Sequence, residues 1–422
     1  MQRDDDALHA ADVQCSAPYA QNVPVPMPRT DIGAAKRATY VGFAGTGFAF
    51  ASWAARIPQV KERLALDPSE LGLLLLAIGG GAVIALPLSG PVVGHFGVRR
   101  TVTTGAVLAG LALLLVAAGY QLGVALVAVG LFMFGTATGT WEVAVNVHAA
   151  VVERRLGHAI MSRFHAAFSL GTVTGALVGA AMVALGVGVT PHLSIVGLAV
   201  GIAVPVAARS FLSSGAPAED GAHAPTSYAA RASLRAWREP RTLLIGVFVF
   251  AFAFAEGAGA DWISVGLIDG YGAEAAIGTL AFAAFMAAMT TARWFGPWLL
   301  DRYGRVPVVR ILALVGIAGL ALFAFGPSTP VAFAGALLWG VGASLGFPVG
   351  MSAGADEPVV AAPRVSVISS IGYCAFLCGP PLIGFLGQQS TVLHALAAVM
   401  VLMALSAATA GALRPPQVIA AS

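Results

Sequence analysis

Glu142 and Asn146 sit in the stretch GTATGTWEVAVNVHAAVVERR, residues 135–155, in a chain of which only 10% is charged. On a helix, Gly135, Gly139, Glu142 and Asn146 fall at intervals of four, three and four, which places them on one face. An ionised acid at the centre of a bilayer costs about 3 kcal/mol, so such a face must meet water or a partner. Low-dielectric surroundings favour the neutral acid, the property a proton carrier needs. Two other readings of Glu142 stand beside this one: a hydrogen bond that fixes helix packing, or a place in a cytoplasmic gate. A second pair of acids, Glu256 and Asp261, is five residues apart. That spacing turns their side chains about 140° from each other, so they serve different sites. Glu256, with Phe252 and Gly259 on its side, is the cavity candidate; Asp261, beside Trp262, belongs near the outer boundary. His148 faces away from Asn146 and reads as a boundary residue. Arg293 reads as a side chain that snorkels to the cytoplasmic interface.

The elements that carry these residues are membrane helices. The chain has 422 residues, 58% of them hydrophobic and 51 of them glycine. Twelve apolar runs, each long enough to cross about 30 Å of hydrocarbon, recur along it, and the ten-residue alternation of a membrane barrel is missing. The expected fold is therefore an all-α membrane protein with twelve transmembrane helices. Residues 1–37 read as a disordered cytoplasmic tail, 38–212 as an N-terminal six-helix bundle and 213–240 as a cytoplasmic linker. Residues 241–413 read as a second six-helix bundle and 414–422 as a cytoplasmic tail. Of 23 Lys and Arg residues, Arg56, Lys61 and Arg63 fall on the side opposite the termini, which puts both termini in the cytoplasm. The net charge of +3 is a topogenic bias and gives no sign of a nucleic-acid partner. Cys15, Cys374 and Cys378 form no disulfide framework, and the helix pair reads as small packing residues. No metal-ligand spacing, Walker loop or nucleophile elbow occurs, so no enzyme activity, metal or cofactor is expected. In the eleventh helix Pro380 and Pro381 remove backbone donors and should break or kink it.

The two halves echo each other. GPVVGHFGVRR, residues 90–100, follows the second helix, and GPWLLDRYGRVPVVR, residues 296–310, follows the eighth. The shared features are Gly90, Gly94, Gly97, Arg99 and Arg100 in the first copy and Asp301, Arg302, Gly304 and Arg305 in the second. Glycine supplies the tight reversal, the arginines cap the preceding carbonyls, and Asp301 is placed to pair with Arg302, Arg305 or Arg310.

Twelve helices as six plus six, with this phrase in both halves, resemble the major facilitator superfamily. The resemblance covers residues 38–413 and implies two pseudo-symmetric six-helix bundles that rock about a midplane site. The first copy carries Gly94 where the superfamily has aspartate, and the second carries Pro297 where it has glycine. FASWAARIPQVKE (50–62), GTWEVAVNVHAAVVERRLGHAIMSRFHAAFSLG (139–171), EGAGADWISV (256–265) and GYCAFLCGPPLIG (372–384) are similar to uncharacterised bacterial permeases related to the fucose-permease-like group. That resemblance implies a monomeric carrier in the bacterial inner membrane, taking up a sugar or small metabolite with protons. Glu142 and Glu256 are its candidate proton sites, and Asn146, Trp53, Trp339 and Tyr373 its candidate cavity residues, the aromatics either packing within the bundles or stacking on a ring-shaped solute. Because helices one and seven are equivalent across the repeat, Arg56 and Asp261 are candidates to pair as an outer gate, the alternative being a solvated Arg56 beside the charged loop KERLALDPSE. Drug export, passive facilitation and a non-transporting sensor are the alternatives.

Overall fold

A segment in hydrocarbon must satisfy its backbone hydrogen bonds within itself, and every long apolar segment among the described residues is helical. The computed structural model describes residues 29–157, 160–212, 235–357 and 360–415. Its crossing helices are α1 (Arg29–Ala54), α2 (Pro68–Phe96), α3 (Val98–Leu122), α4 (Val124–Leu156), α5 (Met161–Ala184) and α6 (Val189–Ala208). The second set is α7 (Pro240–Tyr271), α8 (Ala275–Tyr303), α9 (Arg305–Phe325), α10 (Thr329–Gly354), α11 (Ala361–Gln389) and α12 (Val392–Leu413). Eleven of them are long and apolar enough to cross a membrane by that measure alone, and α1, whose first turns carry Lys36 and Arg37, is the twelfth. A short helix, Ile57–Arg63, follows α1.

α1 begins at Arg29, so residues 29–37 are helical, although the sequence reading placed them in the tail. The rest of that tail, most of the linker and the last residues lie outside the described residues, as does Cys15.

Helices α1 to α6 pack on one another, α7 to α12 do the same, and the two bundles meet along two seams, α2 on α11 and α5 on α8. Between apolar helices in lipid there is little hydrophobic drive, so close backbone approach has to supply the attraction. Small residues provide it. A Cβ on Gly135 would lie 2.0 Å from the Ile78 carbonyl of α2, and one on Gly171 would lie 2.2 Å from Ala44 O of α1. The α2–α11 seam uses the same device: a Cβ on Gly72 would sit 2.5 Å from Pro380 O, and one on Gly384 would sit 2.4 Å from Pro68 O.

The repeated phrase forms two matching one-residue turns. Gly97 (φ 78°, ψ 156°) joins α2 to α3, and Gly304 (φ 80°, ψ 161°) joins α8 to α9. That backbone region is open essentially to glycine alone. The end of the molecule bearing these turns also carries Arg99, Arg100, Arg154, Arg155, Arg302 and Arg305, and is here called the basic end.

Two helices differ from expectation. α11 is helical without interruption through Pro380 and Pro381, where the flat glycine face of α2 packs against it. The interrupted helix is α10, which stops at Ala343 and restarts at Gly346. Gly346 accounts for the local fit, because a Cβ there would stand 1.9 Å from the Phe252 ring of α7.

Candidate functional site

Between the bundles, toward the basic end, lies a cavity of about 390 Å³. Leu86 of α2, Glu142, Val143, Asn146, Val147 and Ala150 of α4, and Tyr373 of α11 line it. The α4 residues recur at three to four positions, so one face of a single helix makes most of the wall. Asn146 donates its amide N–H to the Glu142 backbone carbonyl at 2.9 Å. Among the described residues the Glu142 carboxylate has no hydrogen-bond or ion-pair partner. Tyr373 reaches toward it from the other bundle, close enough for the two groups to interact electrostatically. The structure thus brings together Glu142, Asn146 and Tyr373.

Glu256 is elsewhere and engaged. Arg293 of α8 donates to its Oε2 at 2.7 Å and to the Ser344 carbonyl, at the interruption of α10, at 2.9 Å. Arg293 therefore turns inward and does not snorkel to the interface: an apolar wall with a carboxylate and a freed carbonyl offers it better partners than the membrane surface. Across the α5–α8 seam, His165 lies within electrostatic reach of Arg293.

The expected Arg56–Asp261 pair does not form. The chain turns just after Ala54, and Arg56 is carried toward α6, where Nε donates to His192 Nδ1 and a terminal nitrogen to Val187 O, each at 2.9 Å. Asp261 has no ion-pair partner among the described residues. The bundles are joined at this far end by Lys61 and Asp269 instead, 2.7 Å apart. Among the described residues that is the one ion pair or hydrogen bond between bundles, and none joins them at the basic end. Sequence reasoning missed it, although one signal was present: Lys61 is one of two lysines in the chain and follows α1, while Asp269 ends the equivalent helix α7.

Trp53 and Trp339 are fully buried in the bodies of their bundles and do not line the cavity. Trp339 packs edge-on against Phe285 and Phe323, its ring centroid 5.5 and 5.8 Å from theirs, and so is core. His148 is also structural. Its Nε2 accepts from Leu212 N–H at 3.0 Å, which leaves the proton on Nδ1 to meet Thr39 Oγ1, also at 3.0 Å.

In the repeated phrase, Gly90 and Gly94 face open space, and Arg99 and Arg100 are exposed without ion pairs among the described residues. Asp301 pairs with none of its expected arginines. Arg305 bonds Asp356 at 2.7 Å and Ser352 at 2.9 Å, Arg310 bonds Ala407 O, and Arg302 lies against the Tyr303 ring. Arg241 of α7 reaches the same Asp356 at 2.8 Å, so one carboxylate at the foot of α10 ties α7 and α9 together. Cys374 and Cys378 are exposed on α11 and unbonded, and do not serve as packing residues inside the bundle.

Residues 38–358 match the sequence model of the Major Facilitator Superfamily. The chain belongs to that superfamily. It is 32% identical over 378 residues to an uncharacterised MFS-type transporter of Yersinia pestis, covering 89% of this chain and 94% of the relative. It is 30% identical over 361 residues to an uncharacterised transporter of Sinorhizobium fredii, covering 84% and 92%. Among solved structures, the nucleoside transporter NupG superposes with a TM-score of 0.74 at 14% identity, covering 91% of this chain and 98% of that one. The fucose:proton symporter FucP of E. coli gives 0.62 at 17% identity, covering 90% and 98%. The superfamily's two six-helix bundles are the architecture seen here, and as a member the chain is a multi-pass transporter.

Proposed function

We propose that this transporter is a proton-coupled secondary carrier of a small polar solute, and that Glu142 is the group that takes up and releases the proton. The observation that carries this reading is the solitary Glu142 carboxylate in the wall of a cavity between two bundles. Glu256, the other candidate, is neutralised by Arg293 and stabilises the second bundle. The solved neighbours support the coupling class, since two of them are described as a D-xylose-proton and a fucose:proton symporter. By the positive-inside bias the basic end faces the cytoplasm of a bacterial inner membrane, and the cavity then represents an inward-facing state, closed outside by Lys61–Asp269 and the α2–α11 seam. The carrier is taken to act as a monomer, each chain bringing both bundles. Whether cargo travels with the proton or takes its place sets the direction of coupling.

A thermal-shift screen of the purified chain against sugars, organic acids and drugs at two pH values supplies the solute, because a ligand that binds the folded state raises its apparent stability. In proteoliposomes under an imposed pH gradient, Glu142→Gln is then expected to lose uphill movement of that solute. Uphill movement with unchanged pH dependence in this variant would remove Glu142 from the role.

A further inference from the structure

The cavity's polar inventory is lopsided. Glu142 is the only charged residue on the wall, and both of its carboxylate oxygens are free acceptors. Asn146 spends one of its two amide N–H groups on the Glu142 carbonyl, which leaves one N–H donor and its oxygen as another acceptor. The Tyr373 hydroxyl has no hydrogen-bond partner among the described residues and can accept as well as donate. The rest of the wall is aliphatic. Acceptors therefore outnumber donors on this wall, and a ligand that fills the space is matched best when it brings more donors than acceptors.

Two arginines inside the bundles are already committed. Arg293 is held by Glu256 and the Ser344 carbonyl at the α5–α8 side of the molecule, and Arg56 is held by His192 and the Val187 carbonyl at the far end. On the cavity wall, α2 presents Leu86 and α11 presents Tyr373, the titratable residue that shares the lining with Glu142. A carboxylate or phosphate on the solute would meet like charge with no counterion, whereas an ammonium would complete an ion pair that the protein leaves open.

We propose that the cavity selects small hydroxylated solutes bearing a protonated amine, and that the ammonium group replaces the proton on Glu142, so that amine and proton cross in opposite directions. This rests on the reading of Glu142 as the proton site and adds the chemical class of the cargo. Binding exchanges one positive charge for another: the carboxylic acid releases its proton to water, and the carboxylate that remains receives the ammonium. The volume of about 390 Å³ suits a solute of monosaccharide size.

The test reads the charge preference of the cavity without needing the physiological cargo. The full chain, with its three cysteines changed to serine, receives a single reporter, Val147→Cys, on the cavity wall. Its labelling by a trimethylammonium and by a sulfonate methanethiosulfonate is measured, each rate divided by that reagent's rate with a free thiol. The cationic reagent is expected to be favoured about tenfold or more. Glu142→Gln should abolish that preference and Glu142→Asp, which keeps the charge, should retain it. Glucosamine should slow labelling more than glucose, and glucuronate should not slow it at all. Equal normalised rates for the two reagents, or protection by glucose or glucuronate that matches glucosamine, overturn the inference. The proton reading fails separately: a Glu142→Gln protein that keeps pH-driven transport would discard it, whatever the reagents report.

Discussion

Two acids of similar sequence setting have opposite fates. Glu142 faces a cavity with no hydrogen-bond or ion-pair partner among the described residues, and Glu256 is locked to Arg293, with the pair about three-quarters buried (24% and 23% side-chain exposure). Removing one member of a mostly buried pair strands the other, so Arg293→Met is expected to lower the stability of detergent-solubilised protein by about 1–3 kcal/mol. Glu256→Gln added to it should recover most of that loss, as read from thermal denaturation midpoints. If the single and double variants melt together, the pair is not what holds α7, α8 and α10 at this point. That Glu142 lies away from lipid was legible in the sequence, because an acid in an apolar run needs water or a partner. The aromatics were not. Spacing says that Trp53 and Trp339 share faces with other residues, but only packing decides whether a face looks at a cavity or at a neighbouring helix.

Helix by helix, glycine has three different jobs, and substitution separates them. Gly135 admits the α2 backbone, so Gly135→Ala should cost about 1–3 kcal/mol by overpacking. Gly90 and Gly94 lie in open space on the same helix α2, and alanine at either should leave the melting point unchanged or raise it, by up to about 1 kcal/mol from helix propensity. At Gly97 and Gly304 alanine meets backbone strain of about 1–3 kcal/mol, with no neighbouring atom to blame. The start of α2 adds a pH-dependent element. Asp67 accepts from the Glu70 backbone N–H at 2.8 Å and from Ser69 Oγ at 2.7 Å, and these bonds hold its carboxyl below its ordinary value of 3.8. A lowered folded-state value means that this cap contributes fully above pH 3.8 and is lost as the pH falls through the lowered value. Fraying at Pro68–Leu71, followed by hydrogen exchange, should accordingly show less acid sensitivity in Asp67→Asn. The repeated turns were legible because two distant copies of one phrase need a common backbone reason. The interruption of α10 was not, because it arises between helices: Phe252 fills the space over Gly346, and Arg293 takes the carbonyl that the interruption frees.

Across the two bundles, closure at the far end rests on a short-range seam and one ion pair. Lys61 and Asp269 are partly exposed, so their attraction contributes at most about 1 kcal/mol, which still changes a two-state ratio about fivefold. Spin labels at Leu185 and Glu274, both in far-end turns, should therefore report a larger long-distance population in Lys61→Glu. The exchanged pair Lys61→Asp with Asp269→Lys should restore the short distance, and added salt should act like the single variant. Distances indifferent to all three changes would leave the seam alone in control. Depth along the helices suggested a gate between α1 and α7, and a cross-bundle contact does stand there. Its members were misassigned because depth says nothing of azimuth, and the turn after Ala54 sends Arg56 sideways into its own bundle.

The single-residue joints at Gly97 and Gly304 have a mechanical corollary. α2 and α8 each lie on a seam, and each is yoked to the next helix, α3 or α9, by a linkage too short to absorb slippage. Any slide along a seam must be handed on at once to the helix behind it, so movement at the centre of the molecule is shared with its periphery.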